Sequence, residues 1–283
     1  MAQPIRRKRT VKKSKPRFFG KWFLVVFSFF LMLIIAISIY KFRDGFLYYL
    51  GFKTDKYANE LSADERKLAD IRIYEVLHKH DNKAIGFDVS EYQSAIDWEQ
   101  TYHIDEAFEL SFVFIRSTAG KDKIDSKFKE NWKAAKERQL IRGAYHYYRP
   151  NENSIEQAEN FIKTVRLQKG DLPPVLDIEK LPKSQSIDSL KVGLRRWLNK
   201  VEKHYKVKPI IYSGESYYTD FLKEEFSEYP LWIANYNFWR NDLESDWQFW
   251  QFTEKAQIEG IKGMVDVNIF NGDKNKLLLK CIR

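Results

Sequence analysis

The stretch GAYHYYRPNENSIEQAENFIKTVRLQKGDLPPVLDIE, residues 143–179, decides the fold. It opens on a short apolar and aromatic run, Gly143–Tyr148, which stops at Arg149-Pro150-Asn151. Ser154–Leu167 then switches to helical spacing, and a second short run, Pro174–Ile178, ends among carboxylates. Strand, helix and strand in so short a span make a βα unit leading to a parallel neighbour.

The alternation continues in both directions. Upstream lie strand patterns at Ile85–Val89 and Phe112–Ser117 and a helical one at Asp125–Gln139. Downstream come a helix at Ile187–His204 and strands at Pro209–Ser213, Leu231–Ala234, Trp247–Phe252 and Val265–Val267. The last three strands leave little room for helices. The class is therefore α/β, and the order predicts an incomplete β/α barrel over residues 84–283, about five β/α units followed by extra strands. A doubly wound open sheet would give a similar early pattern. No internal repeat is present.

Residues 41–83 read as a juxtamembrane spacer, aromatic-rich at first and then helical over Leu61–His80, with Ser62 as the cap. Before it stands Trp22–Tyr40, nineteen residues without a charge. As a helix it would span about 28 Å, close to the hydrocarbon thickness of a bilayer. Trp22 and Tyr40 sit at its ends, where such rings prefer the headgroup level. The segment is expected to be one transmembrane signal anchor. The competing reading is a cleaved secretory signal, but the small-x-small site Ala36-Ile37-Ser38 lies inside the apolar run rather than after it.

Charge supports that topology. The chain carries 48 Lys+Arg against 39 Asp+Glu, a formal +9. Residues 1–21 hold nine basic residues and no acidic one, so residues 22–283 balance at 39 against 39. The excess belongs to a basic tail expected to stay cytoplasmic, sending residues 41–283 across the membrane. A basic nucleic-acid-binding domain is not expected. The single Cys281 rules out an intramolecular disulfide framework and a Cys-rich zinc module.

In a β/α barrel the strand ends carry the chemistry. Four carboxylates occupy such places: Asp88 in GFDVSEYQ, Asp177 and Glu179 in PPVLDIE, and Asp266 in GMVDVNIF. Residues two apart on a strand share a face, so Asp177 and Glu179 should point together into the barrel mouth, while Leu176 and Ile178 point away. Two carboxyls that close tend to divide into one protonated and one ionised group, the division that glycosidic hydrolysis uses. A lone D-x-E is common by chance, and strand-end carboxylates also cap helices. Aromatic residues near strand ends suit stacking on sugar faces. Tyr147, Tyr212, Trp232, Tyr236 and Trp250 are the candidates for substrate binding, with core packing as the alternative use. His78 and His80 diverge on a helix with no evident third ligand, so no metal site is expected. No phosphate-binding glycine loop is present and no cofactor is expected.

On these residues the sequence resembles glycoside hydrolase family 25, the muramidases called Chalaropsis-type lysozymes. The matching landmarks run in order: GFDVSEYQSAIDW (86–98), FVFIRSTAG (112–120), FKENWKAAKERQLIRGAYHYYRP (128–150), PPVLDIE (173–179), PIIYSGESYY (209–218), LWIANY (231–236) and WQFWQFTEKAQIEGIKGMVDVNIFNG (247–272). The resemblance implies cleavage of the β-1,4 bond between N-acetylmuramic acid and N-acetylglucosamine in peptidoglycan, without metal or cofactor. It implies Glu179 as general acid and Asp177 as the assisting carboxylate, with Asp88 and Asp266 as the other acids of the cleft. It departs from the family pattern at Ala119, where many relatives carry Glu.

The expectation is a single-pass protein of a bacterial inner or cell membrane, with a catalytic domain in the periplasm or at the cell surface. Its partner would be peptidoglycan glycan strands, with the membrane contacted through residues 22–40. A catalytically silent wall-binding module and a chitinase-like glycosidase are the alternatives.

Overall fold

The computed structural model describes residue 22, residues 26–34 and residues 61–283. The chain divides into two compact units, Met1–Thr54 and Asp55–Arg283. In the first, residues 26–34 are helical and exposed. Among the described residues, no helix is long and apolar enough to cross a membrane. The rest of the expected anchor, the basic tail and residues 41–60 lie outside the described residues.

The second unit is a barrel. Its strands are β1 (Ile85–Val89), β2 (His103–Ile104), β3 (Phe108–Ala119), β4 (Lys123–Ile124), β5 (Ile141–Tyr147), β6 (Val175–Asp177), β7 (Ile210–Gly214), β8 (Leu231–Ala234), β9 (Phe249–Ala256) and β10 (Val265–Phe270). Eight of them form the ring in the order β1-β10-β9-β8-β7-β6-β5-β3, and β1 closes it by pairing with β3. Neighbours run parallel except for β10, which is antiparallel to β1 and β9. The short β2 and β4 pair beside β3. The β1–β3 pairing removes both free edges, which excludes the open sheet. What is incomplete is the helical jacket.

Helices α2 (Phe128–Glu137), α3 (Ser154–Thr164) and α4 (Ile187–Tyr205) follow β3/β4, β5 and β6, and residues 215–226 make short helical turns after β7. α3 and α4 begin where Asn153 and Ser186 accept backbone N–H groups. The α4 residues Leu190, Leu194, Trp197, Leu198 and Val201 recur at helical spacing and are buried. Between β8 and β10 no such helix exists.

That gap is covered from the other end of the chain. Helix α1 (Ala63–Lys79) starts in a capping box of Ser62 with Glu65. Its Ile73, Val76 and Leu77 join the core. Arg72 donates to the carbonyls of Phe238 (2.6 Å) and Phe252 (3.4 Å), and the His80 ring meets Trp250 edge-on at 6.2 Å. The sequence placed this helix in a spacer, apart from the domain. It is instead part of the fold, because the outward faces of β9 need an apolar cover that no later helix supplies.

Strand alternation sorts the core into two layers. Outward residues such as Phe87, Val113, Leu176, Ile178, Ile233 and Trp250 pack with the helices. Inward residues Phe112, Phe114, Val175, Ile210, Trp232, Phe249 and Phe270 fill the barrel floor. Glycine makes room for those rings: a Cβ at Gly143 would stand 2.5 Å from the Phe114 ring.

Candidate active site

Above the aromatic floor the inward row turns polar. Asp88 stands at the C-terminal end of β1 and Asp177 closes β6. Asp266 lies near the start of β10, which runs the other way, so it reaches the same end of the barrel. Asp88 and Asp266 are direct cross-strand partners. Asp177 sits in register between Tyr147 on β5 and Tyr212 on β7. Asp88 and Asp177 are only 6% and 4% exposed, whereas Glu179 and Asp266 are half-buried.

Glu179 follows β6, and the backbone around it is pinned. The Ile178 N–H donates to Tyr212 O at 3.0 Å, the Ser213 hydroxyl donates to Ile178 O at 2.8 Å, and the Tyr217 hydroxyl donates to Lys180 O at 3.0 Å. The extended path past Asp177 is thereby kept, and Leu176 and Ile178 are buried on the helix side. Asp177 ends the strand, and Glu179 follows two residues later, half-buried.

Asp88 is oriented by two amides. Gln251 Nε2 donates to its Oδ2 at 2.7 Å and Asn268 Nδ2 donates to the same oxygen at 2.9 Å. The amides are themselves oriented. Trp232 Nε1 donates to Asn268 Oδ1 at 2.7 Å, Tyr212 donates to Gln251 Oε1 at 2.7 Å, and the Tyr236 hydroxyl donates to that oxygen as well. With each carbonyl oxygen taken by a ring donor, each NH2 must face the carboxylate. A carboxylate receiving two N–H donors is suited to the ionised form, which only accepts.

The expected substrate-binding aromatics therefore divide. Tyr147, Tyr212 and Tyr236 stand at the mouth, the last two as donors to Gln251. Trp232 is buried and stacks on Phe114 with centroids 4.2 Å apart, so it is floor rather than wall. Trp250 does not line the cleft. It faces outward, fully buried, and its indole N–H donates to Asn235 O at 2.9 Å. The sequence reading took its nearness to a strand end for access, but alternation from Gln251 puts it on the opposite face.

Sequence reasoning missed Gln251 and Asn268. The signal was there: Asn268 is two residues from Asp266 on β10, and Gln251 is two from Phe249 on β9, so both share the inward face. Ala119 is buried, and carboxylates on that side come from Glu91 and Glu152. Glu91 pairs with Arg116 at 3.0 Å and Lys123 at 3.2 Å, and Glu152 pairs with Arg149 at 3.1 Å. Among the described residues, no group of three or more His, Cys, Asp and Glu is arranged to hold a metal ion.

A β/α barrel is the fold the resemblance implied, and a model of the glycosyl hydrolases family 25 matches residues 87–261. The chain belongs to glycosyl hydrolase family 25. Uncharacterized protein YegX of Escherichia coli K12 is 42% identical over 194 residues, covering 68% of this chain and 71% of that protein. Lysozyme M1 of Streptomyces globisporus is 32% identical over 208 residues, covering 68% and 69%. The structure of a family 25 glycosyl hydrolase from Bacillus anthracis superposes with a TM-score of 0.63 at 28% identity, over 71% of this chain and 95% of that one. The family 25 match begins inside β1, so α1 lies outside it.

Proposed function

We propose that this protein is a peptidoglycan hydrolase that cleaves the β-1,4 bond between N-acetylmuramic acid and N-acetylglucosamine. Membership of family 25 makes it a glycoside hydrolase of the lysozyme type, and kinship with a Streptomyces lysozyme supports the substrate. What supports the chemistry is Asp177 in register with Tyr147 and Tyr212 at the end of β6, followed by Glu179 on a backbone held by Ser213 and Tyr217. Glu179, the more exposed of the two, is the general acid that protonates the leaving oxygen. Asp177, held beneath it, assists as the carboxylate facing the oxocarbenium-like centre, either by orienting the substrate's acetamido group or by directing water. Asp88 and Asp266 line the opposite wall.

In this reading residues 22–40 anchor the protein in a bacterial membrane and residues 1–21 stay cytoplasmic. The support is the uncharged run and the nine basic residues before it. The catalytic unit then works outside the membrane, on the wall.

The test is reducing-end release from purified peptidoglycan by the full chain and by Glu179→Gln. Loss of about a hundredfold or more is expected for removal of a general acid. Full activity in the variant overturns the assignment, and binding without release by the unaltered chain favours a silent wall-binding module instead.

A further inference from the structure

Arg116 occupies the inward row of β3 above Phe112 and Phe114. It is fixed from three sides. Its Nε donates to Asp125 Oδ2 at 2.8 Å, a terminal nitrogen lies 3.0 Å from Glu91 Oε1, and its guanidinium carbon stands 4.6 Å from the centre of the Tyr92 ring. Glu91 is shared with Lys123 at 3.2 Å and accepts from the Ser126 backbone and hydroxyl. The Glu91 carboxyl is held below its ordinary range: burial works against this, but the Ser126 and Lys123 contacts and Arg116 outweigh it.

The strand bends at this point. Arg116 pairs with Tyr145, but the next partners are Thr118 and His146, leaving Ser117 as a bulge. The Ser117 hydroxyl donates to Tyr145 O at 2.9 Å. Arg116 and Tyr145 are thus locked side by side on adjacent strands, facing inward. Burial pushes the Tyr145 phenol well above its ordinary range, Arg116 pulls it back, and Asp88, Asp177 and Asp266 push it up again. The phenol stays neutral and shares the inward face with one fixed cation and with Asp88, Asp177 and Asp266, Asp177 being the register partner of Tyr147 two residues on. None of Arg116, Glu91 and Asp125 has a part in the hydrolytic step as described above.

We propose that Arg116 is a positioning residue for hydrolysis, holding the Tyr145 hydroxyl as a hydrogen-bond donor to the cleft carboxylates and favouring their ionised forms. This rests on the hydrolase reading. Glu91 and Asp125 hold the guanidinium, and Lys123 and Tyr92 complete its surroundings.

The experiment is the pH–rate profile of peptidoglycan hydrolysis by the full chain, with Tyr145→Phe, Arg116→Met, Arg116→Lys and the Arg116→Met/Tyr145→Phe pair. Tyr145→Phe and Arg116→Met should each move the acidic limb to higher pH by about half a unit to one unit. Each should lower kcat about tenfold with KM within about twofold. Arg116→Lys should bring the limb back toward its original position, and the double variant should be no worse than Tyr145→Phe alone, because the two act on one route. An unmoved acidic limb in Tyr145→Phe, or losses that simply add, overturns the proposal. Tyr145→Phe keeps the ring and Arg116→Lys keeps the charge beside Asp125, so these two decide if Arg116→Met does not fold. A full chain that releases no reducing ends, and that Glu179→Gln leaves unchanged, overturns the hydrolase reading and this inference with it.

Discussion

Asp88 and Asp266 are direct cross-strand partners on β1 and β10, two carboxylates side by side at the barrel mouth. Like charges in that relation cost about 0.2–1 kcal/mol, and of the two it is Asp88 that the Gln251 and Asn268 amides hold. Asp266→Asn should therefore raise the melting temperature by about 1–3 °C while lowering peptidoglycan turnover at least about tenfold. Thermal melts and reducing-end assays on the same preparation check it. A lower melting temperature would show that Asp266 is kept for structure.

Gln251 links Asp88 to two tyrosines without being an acid itself. Gln251→Glu keeps the acceptor for Tyr212 and Tyr236 but replaces the donor that stands 2.7 Å from Asp88 Oδ2. When protonated, the new carboxyl can donate as the amide did. When ionised, it repels Asp88. The variant should keep activity in acid and lose it toward neutral pH, so its profile moves to lower pH than that of the parent. Equal profiles would mean that the amide does not orient Asp88 during turnover.

Much of this was legible in the sequence because period-two alternation is a local signal. β1 and β8 fall on the expected residues, and Asp177 closes β6 with Leu176 buried on the helix side. Which strands close the ring was not legible, since β1 meeting β3 and β10 depends on contacts far apart in the chain. The same holds for α1: its amphipathic pattern and Ser62 cap announce a helix, but its partner is β9, nearly two hundred residues later. Trp250 failed for a different reason. Two tryptophans three residues apart, Trp247 and Trp250, obscure which face is inward until Gln251 is seen to hold Asp88.

Helix α1 gives a stability prediction. Ile73, Val76 and Leu77 are buried, and each such side chain contributes about 1.5–3 kcal/mol. A chain starting at residue 84 would also lose the Arg72 contacts and uncover Trp250 and Phe252. It should melt about 10 °C or more below a chain starting at residue 61. Scanning calorimetry on the two chains checks this. Equal melting temperatures would return α1 to the role of a spacer.

His146 yields the last prediction. It lies on the outward face of β5, fully buried, with its ring stacked on Trp197 at 5.5 Å. Gln157 donates through Nε2 to the Arg149 and Glu152 carbonyls, so its Oε1, 3.1 Å from His146 Nε2, must accept. Nδ1 then accepts from the Thr118 hydroxyl at 2.7 Å, which fixes a neutral ring. Burial takes its pKa down from 6.5 to about 3. Between those values the unfolded chain binds a proton that the folded chain refuses, so acid favours unfolding. The stabilisation is complete above about pH 6.5 and is lost progressively as the pH falls toward 3. Urea midpoints should thus fall from pH 7 to pH 4 more steeply in the parent than in His146→Phe. Burial lowers His80 too, so a smaller slope should remain in the variant. His146→Phe should be less stable at pH 7 but keep its turnover per folded molecule, because the ring points away from the cleft. Equal slopes in the two proteins would mean that His146 takes up its proton without unfolding the barrel.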